Sequence, residues 1–165
     1  MQTRRLFLAF WPDAATRSAV ERSRAALFPL SGRPVDPAAL HVTAAFLGDV
    51  AASRIGELRA LAGPVDPFVL RLERLEYWRR PRVLAAVAPS PPAAARAAID
   101  GLWRRLDRLG FAREARPYLA HVTLVRDATA LPTRSAWSPV DWPVDSIALV
   151  ASPGPGGRGG YELLD

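Results

Sequence analysis

The sequence predicts an α+β fold built from a duplicated unit of strand, helix, loop and strand, closed about a pseudo-twofold axis. Three observations predict it. The order strand, helix, loop, strand runs over residues 6–43 and recurs over 83–123. Each run ends in the same pattern, His41-Val42-Thr43 and His121-Val122-Thr123, and these are the two histidines of the chain. The spacing is also nearly matched, since Leu6 precedes His41 by 35 residues and Leu84 precedes His121 by 37. Two such units, about 4–48 and 82–126 of a single domain over 1–165, pack naturally with equivalent strands at the axis. Both histidines then face one cleft.

Each element has its own local reason. Residues 5–10 form an apolar strand, and Pro12-Asp13 opens a helix through about residue 28, with Val20 and Leu27 on its apolar side. Residues 29–37 are rich in Pro and Gly and read as a loop. The first His-x-Thr strand follows and stops at Gly48-Asp49. A short helix over 51–62 places Ile55, Leu58, Leu61 and Ala62 at helical spacing and closes at Gly63-Pro64. Phe68, Leu70 and Leu72 alternate with Val69, Arg71 and Glu73, a strand with one wet face. A turn over 79–82 leads into a strand over 83–88. Ser90-Pro91-Pro92 starts the next helix, with serine as cap and proline in the first turn. Its stripe of Ala95, Ala98, Ile99, Leu102, Leu106 and Leu109 ends at Gly110. After the second His-x-Thr strand comes a polar, proline-broken stretch over 127–143. Strands over 146–151 and 158–164 then close the chain, flanking a Pro- and Gly-rich hairpin loop.

Composition bounds the chemistry. Half of the 165 residues are hydrophobic, enough for a sizeable core. The absence of cysteine removes disulfides, thiolate nucleophiles and thiolate metal sites. No apolar run approaches the ~20 residues that span a bilayer. The N-terminal apolar run is short and ends at Pro12-Asp13 without a small-residue cleavage site, so it reads as the first strand of a cytoplasmic protein. Net charge is +6, and all 22 basic residues are arginine. That bias fits a GC-rich genome, and equally a phosphate-bearing partner held by bidentate guanidinium contacts. Composition leaves both readings open.

The His-x-Thr strands carry more information. Residues i and i+2 of a strand project from one face, so each histidine travels with its threonine. An imidazole can give or take a proton near neutral pH, and a hydroxyl can donate to an anionic oxygen. Hydrolysis of a cyclic phosphodiester needs a base for water, an acid for the departing oxygen and donors for the phosphate oxygens. Two couples facing one pocket supply all of these without a metal or cofactor. A zinc site lacks a third ligand with the usual spacing. A serine hydrolase lacks Gly-x-Ser-x-Gly. A Walker loop lacks its lysine.

The paired motifs, followed by Phe46-Leu47-Gly48 and by Leu124-Val125-Arg126, resemble the two-histidine phosphoesterase superfamily. Within it the chain is most similar to the RNA 2′,3′-cyclic phosphodiesterases, also called LigT-like or 2′-5′ RNA ligases. The opening Arg5-Leu6-Phe7-Leu8-Ala9 and closing Gly159-Gly160-Tyr161-Glu162-Leu163 support the resemblance, which covers nearly the whole chain. It implies a bilobal α+β fold with two antiparallel sheets lining a central cleft and helices outside. It also implies opening of a 2′,3′-cyclic phosphate to a 2′-phosphate without metal. His41 would protonate the 3′ oxygen, His121 would activate water, and Thr43 and Thr123 would hold phosphate oxygens. Two positions depart from the family pattern: Ala44 stands where leucine is usual, and Ala120 where proline usually precedes the second histidine.

Arg126 and Tyr161 are candidate substrate contacts. Strand parity puts Arg126 opposite His121 and Thr123 if β pairing stays regular, whereas the family pattern puts it at the substrate. Phe46 falls by parity with Val42 and Ala44 in the core. Trp78, beside Arg79 and Arg80, is the tryptophan best placed for nucleobase stacking. The expected substrates are RNA 3′ ends or cyclic nucleotides, handled by a monomer with no membrane partner. The alternatives are 2′-5′ ligation at the same residues, a different cyclic phosphate, and a non-catalytic RNA-binding module.

Overall fold

The computed structural model describes residues 1–132, 136–154 and 159–164. Among the described residues the order is β1 (Thr3–Phe10), α1 (Ala14–Ala25), β2 (Arg33–Pro34), β3 (Val42–Ala51), α2 (Ile55–Arg59), β4 (Gly63–Leu72), β5 (Arg74–Trp78), β6 (Val83–Ala88), α3 (Ala93–Arg108), β7 (Ala120–Arg126), β8 (Val140–Ser152) and β9 (Glu162–Leu163). The fold is α+β with antiparallel strand pairing, as the sequence predicts.

The strands run β4-β8-β1-β3-β7-β6-β5, with β2 added to β7 and β9 to β8. β3 and β7 meet with Val42 opposed to Val122. Outward from this seam the order reads alike: β3 then β1 on one side, β7 then β6 on the other. Val42 and Val122 belong to the main core with Leu6, Leu8, Phe10, Leu124 and the apolar stripes of the helices. The neighbouring His and Thr positions therefore project from the other face. β1 is apolar on both faces, and its Phe7 and Ala9 form a smaller cluster with Ala148, Val150, Trp11 and Tyr161.

The signals at the start of α1 and the end of α3 hold, whereas the expected cap of α3 does not. Asp13 caps α1, its carboxylate accepting from the Thr16 amide at 2.7 Å. In α3 the cap position is Pro92, with no side-chain cap, so Ser90 does not serve. At its C-terminus, Gly110 sits at φ +85° and donates to the Asp107 carbonyl, while Phe111 donates to Leu106. That double bond pattern needs a left-handed residue, which glycine supplies without steric cost.

Several strands extend beyond their sequence signals. β3 continues past Gly48 to Ala51, and Gly63-Pro64 begins β4 rather than simply closing a helix, leaving α2 short. β8 starts at Val140 and carries Pro143. These prolines lie in the β4–β8 pair, where β4 is the sheet edge and the register slips between Pro64 and Phe68. The final strand is confined to Glu162–Leu163, and residues 155–158 of the predicted loop and strand lie outside the described residues.

Two bulges matter most for the cleft. Thr43 pairs with Ala9, yet Ala45 pairs with Leu8, so Ala44 is an extra residue in β3. Likewise Thr123 pairs with Ala85 and Val125 with Leu84, so Leu124 is extra in β7. An inserted residue reverses strand parity beyond it. Ala44 and Ala45 are both buried, as are Leu124 and Val125. The next residues, Phe46 and Arg126, consequently turn to the His-Thr face. Phe46 is 45 % exposed, which corrects its expected place in the core.

Candidate active site

His41 enters β3 and His121 lies at the start of β7. An antiparallel register through Val42 and Val122 sets His41 opposite Thr123 and Thr43 opposite His121, with the two histidines diagonal to each other. Two adjoining cavities open here. One, of about 850 Å³, is lined by His41 and Tyr161, among others; the second, of about 560 Å³, by His121, Thr123 and Trp78. Thr43, Phe46 and Arg126 line both and so mark their common wall. All six predicted site residues therefore line these two adjoining cavities, and Trp78 joins them.

Each imidazole is oriented by its own strand entry. His41 Nδ1 donates to the Ala39 carbonyl at 2.7 Å, and His121 Nδ1 to Leu119 at 2.8 Å. With Nδ1 carrying the proton, Nε2 of a neutral ring is the acceptor, and in the charged ring it becomes a second donor.

The surroundings of the two rings differ. Trp11 lies parallel to His41, 11° between planes and 5.6 Å between centroids. Phe7 is tilted at 4.8 Å and Tyr161 presents its edge at 5.1 Å. Burial lowers the His41 pKa to about 4, with Arg126 and His121 adding to the shift and the bond to Ala39 opposing it. His121 meets Trp78 edge-on at 4.6 Å. Its pKa is also lowered, first by burial and then by Arg116, but the Leu119 bond and the Glu76 carboxylate oppose that. Both rings are thus neutral at pH 7 in the ligand-free protein, and His41 resists protonation strongly.

Charge around the cleft is positive. Arg5 and Arg33 line the larger cavity, while Arg80, Arg113 and Arg116 line the smaller. Arg33 pairs with Asp127, Arg113 with Asp100 and Arg116 with Glu114, and Arg5 lies over the Phe46 ring at 4.7 Å. Among the described residues no group of three His, Asp or Glu side chains is placed to hold a metal ion. Nor is any described helix long and apolar enough to cross a membrane.

Sequence reasoning missed Trp11, Phe7 and Tyr118. The first two share parity along the β1 extension, a signal hidden because the whole segment is apolar. Tyr118 donates to the Thr43 carbonyl at 2.7 Å across the seam, and burial raises its pKa. That bond supports the bulge in β3, and nothing local in the sequence announces it.

Residues 11–155 match the 2′-5′ RNA ligase superfamily. The chain is 35% identical over 170 residues to the RNA 2′,3′-cyclic phosphodiesterase of Escherichia coli (strain K12), covering 99% of this chain and 95% of that one. A crystal structure of a phosphoesterase superposes with a TM-score of 0.83 at 33% identity, covering 99% of this chain and 97% of the other. That of Escherichia coli LigT complexed with 3′-AMP gives 0.81 at 33% identity, with the same coverage.

Proposed function

The chain belongs to the 2′-5′ RNA ligase superfamily, and from that premise we propose that it is an RNA 2′,3′-cyclic phosphodiesterase working by paired-histidine acid–base catalysis without a metal. The observation that supports this best is the pairing of two His-Thr couples across one seam, each ring held by its own backbone carbonyl. The two units, 4–48 and 82–126, act as two lobes that each contribute half of the chemistry.

His121 Nε2 takes a proton from water as its oxygen bonds to phosphorus. The bond from phosphorus to the 3′ oxygen breaks, and His41 Nε2 gives that oxygen a proton. A 2′-phosphomonoester remains. Thr43 and Thr123 hydroxyls donate to the non-bridging oxygens, where charge builds. Arg126 contacts the same phosphate, and Tyr161 borders the sugar side. A ring with a pKa near 4 carries no proton on Nε2 at neutral pH, so the bound anion itself must raise that value before the ring can act as the acid. An anion within ~4–6 Å favours the charged imidazole, which makes proton uptake coincide with substrate binding. The proposed setting is a cytoplasmic monomer acting on RNA 3′ ends or small cyclic nucleotides.

The test is hydrolysis of 2′,3′-cyclic AMP in excess EDTA by wild type, His41→Ala and His121→Ala, with the product identified by phosphorus NMR. Turnover to the 2′-phosphate by wild type alone is expected. Folded wild type without turnover on mono- or oligonucleotide cyclic phosphates overturns the reading, and loss of activity in EDTA overturns its metal independence.

A further inference from the structure

We propose that Arg24, on the first-half helix α1, is a positioning residue that holds Arg126 of the second half in the cleft. The inference rests on the reading of Arg126 as a phosphate contact.

Arg24 is 9 % exposed and, among the described residues, has no carboxylate within ion-pair distance. Glu21 and Asp36 act on it only from beyond that distance, and a buried guanidinium with no directly bonded carboxylate must find other strong acceptors. Its Nη1 donates to the Val35 carbonyl at 2.7 Å and to the Leu124 carbonyl at 3.1 Å. Leu124 is the extra residue of the β7 bulge. A bulge leaves its inserted residue out of the ladder. Here the Leu124 carbonyl is taken up by Arg24 and by the Val35 amide, at 2.9 Å. The bond from the amide is the shorter of the two, and Arg24, at 3.1 Å, adds a charged donor to the same oxygen.

The backbone is gripped two residues further on as well. Arg126 is paired with Val83 on one side and with Arg33 of β2 on the other. Gly32 sits at φ +88°, and a Cβ there would come within 2.4 Å of the Arg126 carbonyl. Helix α1, Gly32 and β2 all come from the first half of the chain, so the first half sets where the Arg126 side chain leaves the second. Without the bulge, parity would turn that side chain away from His121 and Thr123.

The experiment measures kcat and KM for 2′,3′-cyclic AMP, and inhibition by inorganic phosphate, in Arg24→Met, Arg24→Lys, Gly32→Ala, Arg126→Ala and the combinations with Arg126→Ala. Arg24→Met is expected to lower kcat/KM by about 10- to 100-fold, mostly through KM, with a parallel loss of phosphate affinity. Arg24→Lys keeps a charged donor and recovers most of it. Gly32→Ala pushes the same backbone without removing a buried charge, so it decides the matter if Arg24→Met does not fold. In the Arg126→Ala background neither change lowers kcat/KM further, because both act through Arg126. Wild-type kinetics in folded Arg24→Met and Gly32→Ala, or full additivity with Arg126→Ala, overturns the positioning role alone. Wild-type kinetics in Arg126→Ala overturns the phosphate contact and the positioning role together. Absence of wild-type turnover overturns the proposed function, and it is seen before any variant is made.

Discussion

Among the described residues, three aromatic rings stand around His41, Phe7, Trp11 and Tyr161, and one around His121, Trp78, with Glu76 and Arg116 acting through their charge. The backbones beneath them match. Each ring bonds to the carbonyl two residues before it, each threonine pairs with an alanine, and each strand bulges one residue later. The difference teaches that one strand design supplies a proton carrier, while the neighbours decide how readily it charges. Phe46 and Arg126 repeat the lesson: they occupy equivalent places after the two bulges, one apolar and one cationic.

Breaking either ring should have the largest effect. His41→Ala and His121→Ala each are expected to lower kcat by about 10²- to 10⁴-fold. A substrate with sulfur as the 3′ leaving atom separates the two, since a thiolate departs without a proton. On that substrate His41→Ala should recover most of its rate and His121→Ala should not; equal behaviour would reverse or erase the division of roles.

The next effect concerns stability. The unfolded chain takes up the His41 proton near pH 6.5, whereas the folded protein does so near 4. Stability should therefore be level above pH 7 and fall by up to about 3 kcal/mol as pH drops through that window. Urea midpoints at pH 7 and 4.5 measure it, and His41→Asn should flatten the profile. The His121 pKa is also lowered, with Glu76 opposing the shift, so His121→Asn should flatten it less.

Thr43→Val and Thr123→Val should each cost about 10²-fold in kcat, with similar losses because each threonine lies opposite the other strand's histidine. A strongly unequal pair would show that the phosphate sits nearer one lobe. Smallest is Tyr118→Phe, which removes a neutral bond to the β3 bulge. It should lower stability by about 1 kcal/mol in thermal or urea unfolding.

Much of this was legible in the sequence, because the repeated His-x-Thr strands and the helix signals around Asp13 and Gly110 are local. The bulges were harder. Their trace is two apolar residues in succession, Ala44-Ala45 and Leu124-Val125, where alternation would continue; in an apolar strand that trace disappears into the core pattern. Strict parity then misplaces Phe46 and leaves Arg126 undecided. β5 alternates Leu75 and Tyr77 with the charged Arg74 and Glu76 over only five residues, too short a pattern to stand out between the strand ending at Leu72 and the turn over 79–82. Long-range supports such as Arg24 on Leu124 join residues 100 apart, and no window along the chain contains both.

The bond from each imidazole to the carbonyl two residues before it uses no side-chain partner. The orientation of the ring is therefore written in the course of the chain, not in a companion residue that a single codon change could delete. A segment copied within a gene would carry its ring, already the right way round, into the second location. Its surroundings could then diverge, aromatic at Trp11 and charged at Glu76, without the ring having to be oriented afresh.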